Sequence, residues 1–262
     1  MSGILNSKFK HIVITGGSSG IGEALALYYA QSGVVLALTG QNGERLEAVA
    51  QACRAKGAEV EAKIIDVTDR AAMANWLLAL DDARAVDLVI ANAGISAGMG
   101  ASKGGEKPDQ VRRLFDVNVT GVLNTIDPLL ERMTTRGHGS IAIMSSLAGF
   151  RGGPFAPAYS ATKAAVRSYG EGLRGAVAAS GVQVNVICPG FVKSRMTDAN
   201  DFPMPLIMSS DKAANIIANG IARNKGRVAF PLPVYFFVWL LSVIPDSVAG
   251  RILRVLPAKG EL

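Results

Sequence analysis

Apolar positions along this chain fall into two alternating rhythms. Short, nearly continuous apolar runs bounded by small or polar residues predict strands over 11–15, 34–39, 59–65, 86–91, 140–145, 182–188 and, more briefly, 227–230. Between them apolar residues recur every three to four positions. They predict helices over 20–31, 43–56, about 69–80, about 109–132 and 158–180, with Pro128 bending or shortening the fourth. Apolar strands of this kind need cover on both faces, and right-handed strand–helix–strand crossovers give a parallel sheet. We therefore expect an α/β fold with one Rossmann-type, doubly wound parallel sheet of about seven strands and helices on both faces. Residues 1–230 form that single domain, and 231–262 form an apolar helical C-terminal extension packed on the same domain or on a partner.

Ligands of a doubly wound sheet bind beyond the carboxyl ends of its strands. Those ends read Thr15-Gly16, Thr39-Gly40, Ile65-Asp66, Ala91-Asn92, Ser145-Ser146 and Cys188-Pro189, so small and polar residues gather where a ligand would lie. The first strand runs into Gly16-Gly17-Ser18-Ser19-Gly20-Ile21-Gly22. Gly16 suits a tight turn, Gly20 a close backbone approach to a pyrophosphate, and Gly22 close packing of helix on sheet. The free N–H groups of the helix start then face the phosphates. Tyr159 and Lys163 stand four apart near the start of a predicted helix, on one of its faces. A nearby ammonium favours a phenolate and lowers the pKa of a tyrosine that otherwise ionises near 10.

Taken together, these pieces resemble the short-chain dehydrogenase/reductase family. The matching segments are Thr15 to Gly22, Asp66-Val67, Asn92-Ala93-Gly94, Asn118, Ser146, Tyr159 to Lys163 and Pro189-Gly190, in the family's order and spacing over about residues 8 to 197. The resemblance implies an NAD(P)-dependent oxidoreductase that interconverts a secondary alcohol and a ketone. In it Tyr159 is the general acid or base, Lys163 lowers the Tyr159 pKa and bonds the nicotinamide ribose, and Ser146, rather than Ser145, bonds the substrate oxygen. Asn118 holds a water that links Lys163 to solvent. Cofactor contacts implied in the same way are Gly16, Ser18, Ser19, Gly20, Ile21 and Gly22 around the phosphates, Asp66 and Val67 at the adenine, and Asn92, Ala93 and Gly94 at the adenosine ribose. Pro189, Gly190, Val192 and Ser194 surround the nicotinamide. Ala91 and Ser194 replace residues the family usually has as Asn and Thr. The family forms homodimers or homotetramers, and its fold without turnover would be a dinucleotide-binding scaffold. That alternative expects a damaged Ser-Tyr-Lys set, and the set here is complete.

The second strand ends Leu38-Thr39-Gly40-Gln41-Asn42 without the acid that binds a ribose 2′-hydroxyl and repels a 2′-phosphate. NADP is therefore favoured and NAD stays open. The family's usual phosphate-binding Arg is replaced by Gln41, and Arg45, one turn into the helix, becomes the candidate for the phosphate.

Residues 193–223 correspond to the family's variable substrate lid. Met196, Phe202, Met204, Leu206, Ile207 and Met208 make it apolar and adaptable, which points to an apolar small-molecule alcohol or ketone. The tail then reads VYFFVWLLSVI over 234–244, ten apolar residues of eleven, about 16 Å as a helix and too short to span a bilayer. A second helix follows Asp246, with Val248, Ile252 and Val255 on one face and Arg251 and Arg254 on another. A subunit interface, a wall of the substrate pocket and attachment to a membrane surface all remain open for this tail.

Composition narrows the rest. With 49% apolar and 18% charged residues the chain is no disordered polymer. The formal charge of +6 suits an anionic ligand or membrane surface, but no Lys/Arg run argues for nucleic acid. Two isolated cysteines and two histidines make neither a disulfide framework nor a metal site, and residues 1–8 hold no signal-peptide core. We expect a reducing, cytoplasmic setting, with membrane association as its alternative.

Overall fold

The computed structural model describes residues 8–99, 105–198 and 204–253. Phe202 of the lid and Arg254 and Val255 of the tail lie outside the described residues. The first half runs β1 (His11–Thr15), α1 (Gly20–Tyr29), β2 (Val35–Thr39), α2 (Gly43–Ala55), β3 (Glu59–Lys63), α3 (Arg70–Ala83) and β4 (Leu88–Ala91). It continues with α4 (Pro108–Phe115), α5 (Gly121–Arg136), β5 (Gly139–Met144), α6 (Pro157–Ala176) and β6 (Val182–Pro189). The remainder is α7 (Arg195–Asp198), α8 (Ser210–Ala222), β7 (Arg227–Phe230), α9 (Leu232–Val243) and α10 (Asp246–Leu253).

The strands form one 7-stranded parallel sheet in the order β3-β2-β1-β4-β5-β6-β7. Strand alternation decides which helices cover which face. Ile12 and Ile14 of β1 and Leu36 and Leu38 of β2 point toward α1, α2 and α8. Val13, Ala37, Val89 and Ile141 point the other way, toward α3, α5 and α6. The sheet is thus wound in both directions from β1 and β4, and their carboxyl ends part at the switch point where a ligand crevice opens. Only β3, at the edge, alternates exposed and half-covered residues.

Two expectations change. The stretch 109–132 is not one helix bent at Pro128. Pro128 sits inside α5 without ending it, held by the buried Ile126, Leu129 and Met133. The break falls earlier, at a single wide turn over Asp116–Thr120 that turns Asn118 into the protein. The supposed lid also divides. Its second half is α8, whose Ala213, Ala214, Ile217, Ala218 and Ile221 are core against α1, and Met208 packs on the same core.

The loops after β1 and β4 are tied by Thr15 and Asn92. The Asn92 and Ala93 amides each donate to Thr15 Oγ1 at 3.1 Å, and Asn92 Nδ2 donates to the Thr15 and Gly16 carbonyls at 2.9 and 3.2 Å. Replacing Thr15 by its near-isostere valine removes the acceptor of the Ala93 amide and one of two acceptors of the Asn92 amide, which also donates to the Ile90 carbonyl at 2.9 Å. Thr15→Val is expected to lower unfolding stability by about 1–3 kcal/mol in urea titration, and an unchanged midpoint would show that these bonds hold nothing.

Candidate active site

A cleft of about 800 Å³ opens over the carboxyl ends of the central strands. One end is lined by Gly16, Ser18, Ser19, Gly20 and Ile21 from the glycine loop and by Gly40, Gln41 and Val67. Asn92, Ala93 and Gly94 lie along the middle, and Ser146, Tyr159, Lys163, Pro189, Gly190, Val192 and Ser194 surround the other end. The fold therefore brings most of the expected site residues into one space.

The glycines have separate reasons. Gly16 adopts φ +67, and a Cβ there would meet Ala93 Cα at 2.9 Å. At Gly22 a Cβ would stand 2.2 Å from the Gly16 carbonyl oxygen. Gly22 thus lies behind the loop and packs helix against loop rather than against the sheet. The start of α1 has no side-chain cap, so its first N–H groups are open to the cleft for an anion.

Ser146, Tyr159 and Lys163 come from two elements clamped together. Ser145 Oγ donates to the Lys163 carbonyl at 2.7 Å, and a Cβ at Gly149 would stand 2.7 Å from that same carbonyl. The turn Leu147–Gly149 is therefore pressed on α6. Ser145 is used up in this clamp, and Ser146 is the serine that reaches the Tyr159 hydroxyl. Burial pushes the Tyr159 phenol above its ordinary value, while the hydroxyls of Ser146 and Ser96 oppose the shift. The net direction is opposite to the lowering expected from Lys163, because the low-polarity cleft penalises the phenolate first. Lys163 Nζ donates to the Met144 carbonyl at 3.0 Å and lies 5.9 Å from the centre of the Tyr159 ring. Burial lowers the Lys163 ammonium to about 8.

Four expected residues stand outside the main cleft or behind its wall. Asn118 is fully buried. Its Oδ1 accepts from the Ile95 amide at 2.8 Å, and its Nδ2 donates to the Ile95 carbonyl at 2.9 Å and to Thr162 Oγ1 at 3.2 Å. The side chain thus pins the loop beside Lys163. Asp66 lies beside the end of the cleft lined by Gln41 and Val67 and does not cap α3, whose cap is Asp69. Its carboxylate accepts from the Thr68 amide and hydroxyl and from Gln41 Nε2 at 2.7 Å, with Arg113 at 3.6 Å. Burial alone would raise this carboxyl, but the Thr68 bonds and Arg113 hold it below its usual range. Gly22 lies under the loop, as described. Arg45 faces a second cleft of about 560 Å³ on the α1–α2 side of the glycine loop, shared with Ser18, Ser19, Lys193 and Arg195. Its Nε is buried without a partner among the described residues.

Sequence reasoning missed Arg113 and Arg151, both on the cleft wall, and Ser96 beside Tyr159. Arg113 sits one turn before the wide turn, where helix periodicity alone does not reveal that it faces Asp66. The tail supplies a further wall through Val234, Phe237, Val238 and Leu241 of α9 and Leu253 of α10. Arg151 pairs with Asp246 at the start of α10. On the outer side of α9, Phe236, Trp239, Leu240 and Val243 are exposed, Phe236 by 62%. No helix of the described residues is long and apolar enough to cross a membrane. No metal-binding group of His, Cys, Asp or Glu occurs among the described residues.

The sequence profile of the short chain dehydrogenases matches residues 10–202. An oxidoreductase of uncharacterised activity from Myxococcus xanthus is 38% identical over 94% of this chain and 98% of its own. A protein of Arabidopsis thaliana named 3-dehydrosphinganine reductase TSC10B is 32% identical over 93% of this chain and 75% of its own. Among solved structures, a short-chain dehydrogenase from Sphingobium yanoikuyae in complex with NADPH superposes with a TM-score of 0.79 at 26% identity, covering 95% of this chain and 96% of that one. One from Burkholderia phymatum in complex with NAD gives 0.80 at 25% identity, covering 89% and 93%. The profile spans β1 to β6 and the part of the cleft that holds the glycine loop, Ser146, Tyr159 and Lys163, and with these likenesses it establishes that the chain belongs to the short-chain dehydrogenase family of oxidoreductases.

Proposed function

We propose that this chain interconverts a secondary alcohol and a ketone with a nicotinamide dinucleotide, acting on an apolar substrate. The observation that carries the reading is the meeting of Ser146, Tyr159 and Lys163 in the same cleft as an uncapped helix start and its glycine loop. The bound nicotinamide supplies or accepts the hydride. The residues here fit such a group. The glycine loop leaves room for a pyrophosphate, Asn92 to Gly94 for a ribose, and Val67 with Asp66 for an adenine edge. Tyr159 gives its proton to the carbonyl oxygen during reduction, and a phenol raised by burial is protonated at neutral pH, as an acid must be. Ser146 donates to the same oxygen. Lys163 bonds the ribose and offsets charge that develops on Tyr159 when its proton leaves. Asn118 positions this group by pinning the loop at Ile95, and its side-chain amide is already paired with Ile95 and Thr162.

NADP is favoured over NAD. No acid ends β2, and the neighbouring Asp66 is already matched by Gln41 and Arg113. Arg45 is half-buried beside Ser18 and Ser19, and the three cations Arg45, Lys193 and Arg195 outnumber the carboxylates Glu23 and Asp198 in that cleft, which supports a phosphate contact there. The likeness to a structure holding NADPH agrees, and the likeness to one holding NAD keeps the second cofactor open.

Three outcomes test this reading. Tyr159→Phe should cut turnover by about 100-fold or more while calorimetry still reads NADPH binding; retained turnover contradicts the proton-transfer role. Lys163 loses its charge as pH rises through about 8, so kcat/KM for reduction should be level below that pH and fall above it in a steady-state profile. A profile that climbs past it reverses the assignment. NADPH should bind more tightly than NADH, and Arg45→Ala should weaken NADPH by about tenfold with little change for NADH. Equal losses for the two would remove Arg45 from the phosphate.

A further inference from the structure

The main cleft does not stop at Tyr159. It continues along α9, where Val234, Phe237, Val238 and Leu241 all line it. These positions are spaced i, i+3, i+4 and i+7, so they form one continuous face of the helix. That face is about 10 Å long, and Leu147 and Leu253 close it from the active-site turn and from α10. Along it the lining is aliphatic save for one aromatic ring, and it offers a ligand no side-chain hydrogen-bond donor. The charged group at this side, Arg151, is engaged with Asp246. Inner contacts anchor the wall: Val234, Tyr235 and Val238 pack against Leu147, Phe150, Val186 and Cys188. The position of α9 is therefore set by the same turn that carries Ser146.

We propose that the α9–α10 pair forms a binding arm for a long aliphatic chain, so that the substrate is a ketone or secondary alcohol carrying such a chain. With the oxygen held at Ser146 and Tyr159, the alkyl group on one side of the carbonyl runs out along the α9 face. An apolar wall about 10 Å long, leading away from the turn that carries Ser146, suits a run of methylenes, whose burial is its own driving force. This proposal rests on the alcohol–ketone reading for the placing of the oxygen, and the experiment separates the two.

The full-length protein with NADPH is assayed on a series of linear methyl ketones from 2-butanone to 2-dodecanone. The expected result is a kcat/KM that rises by up to about fourfold per methylene until the arm is filled. Phe237→Ser and Val238→Asn should flatten the series by lowering the ratio of 2-decanone to 2-butanone. A wild-type ratio near one overturns the arm. In parallel, calorimetry of the NADPH-loaded protein with 1-butanol, 1-hexanol and 1-decanol reads chain binding alone, because the reduced cofactor cannot accept a hydride from the alcohol. Affinity that rises with chain length and drops in Phe237→Ser supports the arm even where no ketone is reduced, an outcome that would sink the reaction reading alone. Affinity independent of chain length overturns the arm whatever the turnover. Tighter binding of a rigid fused-ring alcohol than of 1-decanol also overturns it, in favour of a ring-shaped ligand.

Discussion

The Thr15 hydroxyl and the Asn92 side chain stand where the sheet divides, and the crevice depends on them. At a switch point the loops after two neighbouring strands leave in opposite directions, so their backbone groups lose sheet partners at the very place where water must be kept out. Here one hydroxyl accepts two of those amides, and one carboxamide donates to two of those carbonyls. The glycine loop lies so close to Ala93 and Asn92 that neither Gly16 nor Gly22 has space for a Cβ. The uncapped start of α1 and the middle of the cleft are therefore one rigid unit. The same economy recurs on the other side of the cleft, where Ser145 and Gly149 press the turn carrying Ser146 onto the helix carrying Tyr159 and Lys163.

That clamp sets the chemistry. Burying a phenol and an ammonium together pushes both toward their neutral forms, the phenol upward and the ammonium down to about 8. Attraction between phenolate and ammonium, the simpler expectation, would require both to be charged, and the desolvation of each opposes it. A neutral tyrosine is the form that can donate a proton to a carbonyl. A lysine titrating near 8 can change its charge with little driving force as a charged ligand arrives. The wide turn at Asn118 belongs to the same arrangement. It gives up regular helix bonds to turn an amide inward, where it fixes the loop at Ile95 against the Lys163 side chain.

The tail joins the cleft through a helix that is apolar on nearly every side. An apolar helix too short to span a bilayer would ordinarily be buried all round. Here its inner face belongs partly to the core with Phe150 and Cys188 and partly to the cleft, while Phe236, Trp239 and Val243 stand outward. The pair Arg151–Asp246 fastens the following helix to the active-site turn.

Much was determined by sequence alone, because local physics decides it. Strand and helix rhythm, a glycine loop between β1 and α1, and a Tyr and Lys one turn apart on α6 are short-range patterns; strand bounds differ from the expected ones by two residues at most, and helix bounds by up to four. The bond from Ser145 to the Lys163 carbonyl, which leaves Ser146 as the serine beside Tyr159, was not legible. Tertiary structure alone decided the rest. It put Arg113 against Asp66, sent Arg45 to the far side of the glycine loop, made α8 part of the core and turned one face of α9 into a cleft wall. Each of these joins residues far apart in the chain or chooses between two faces of one helix. Periodicity tells which positions share a face, but only packing against the remainder of the fold tells what that face meets.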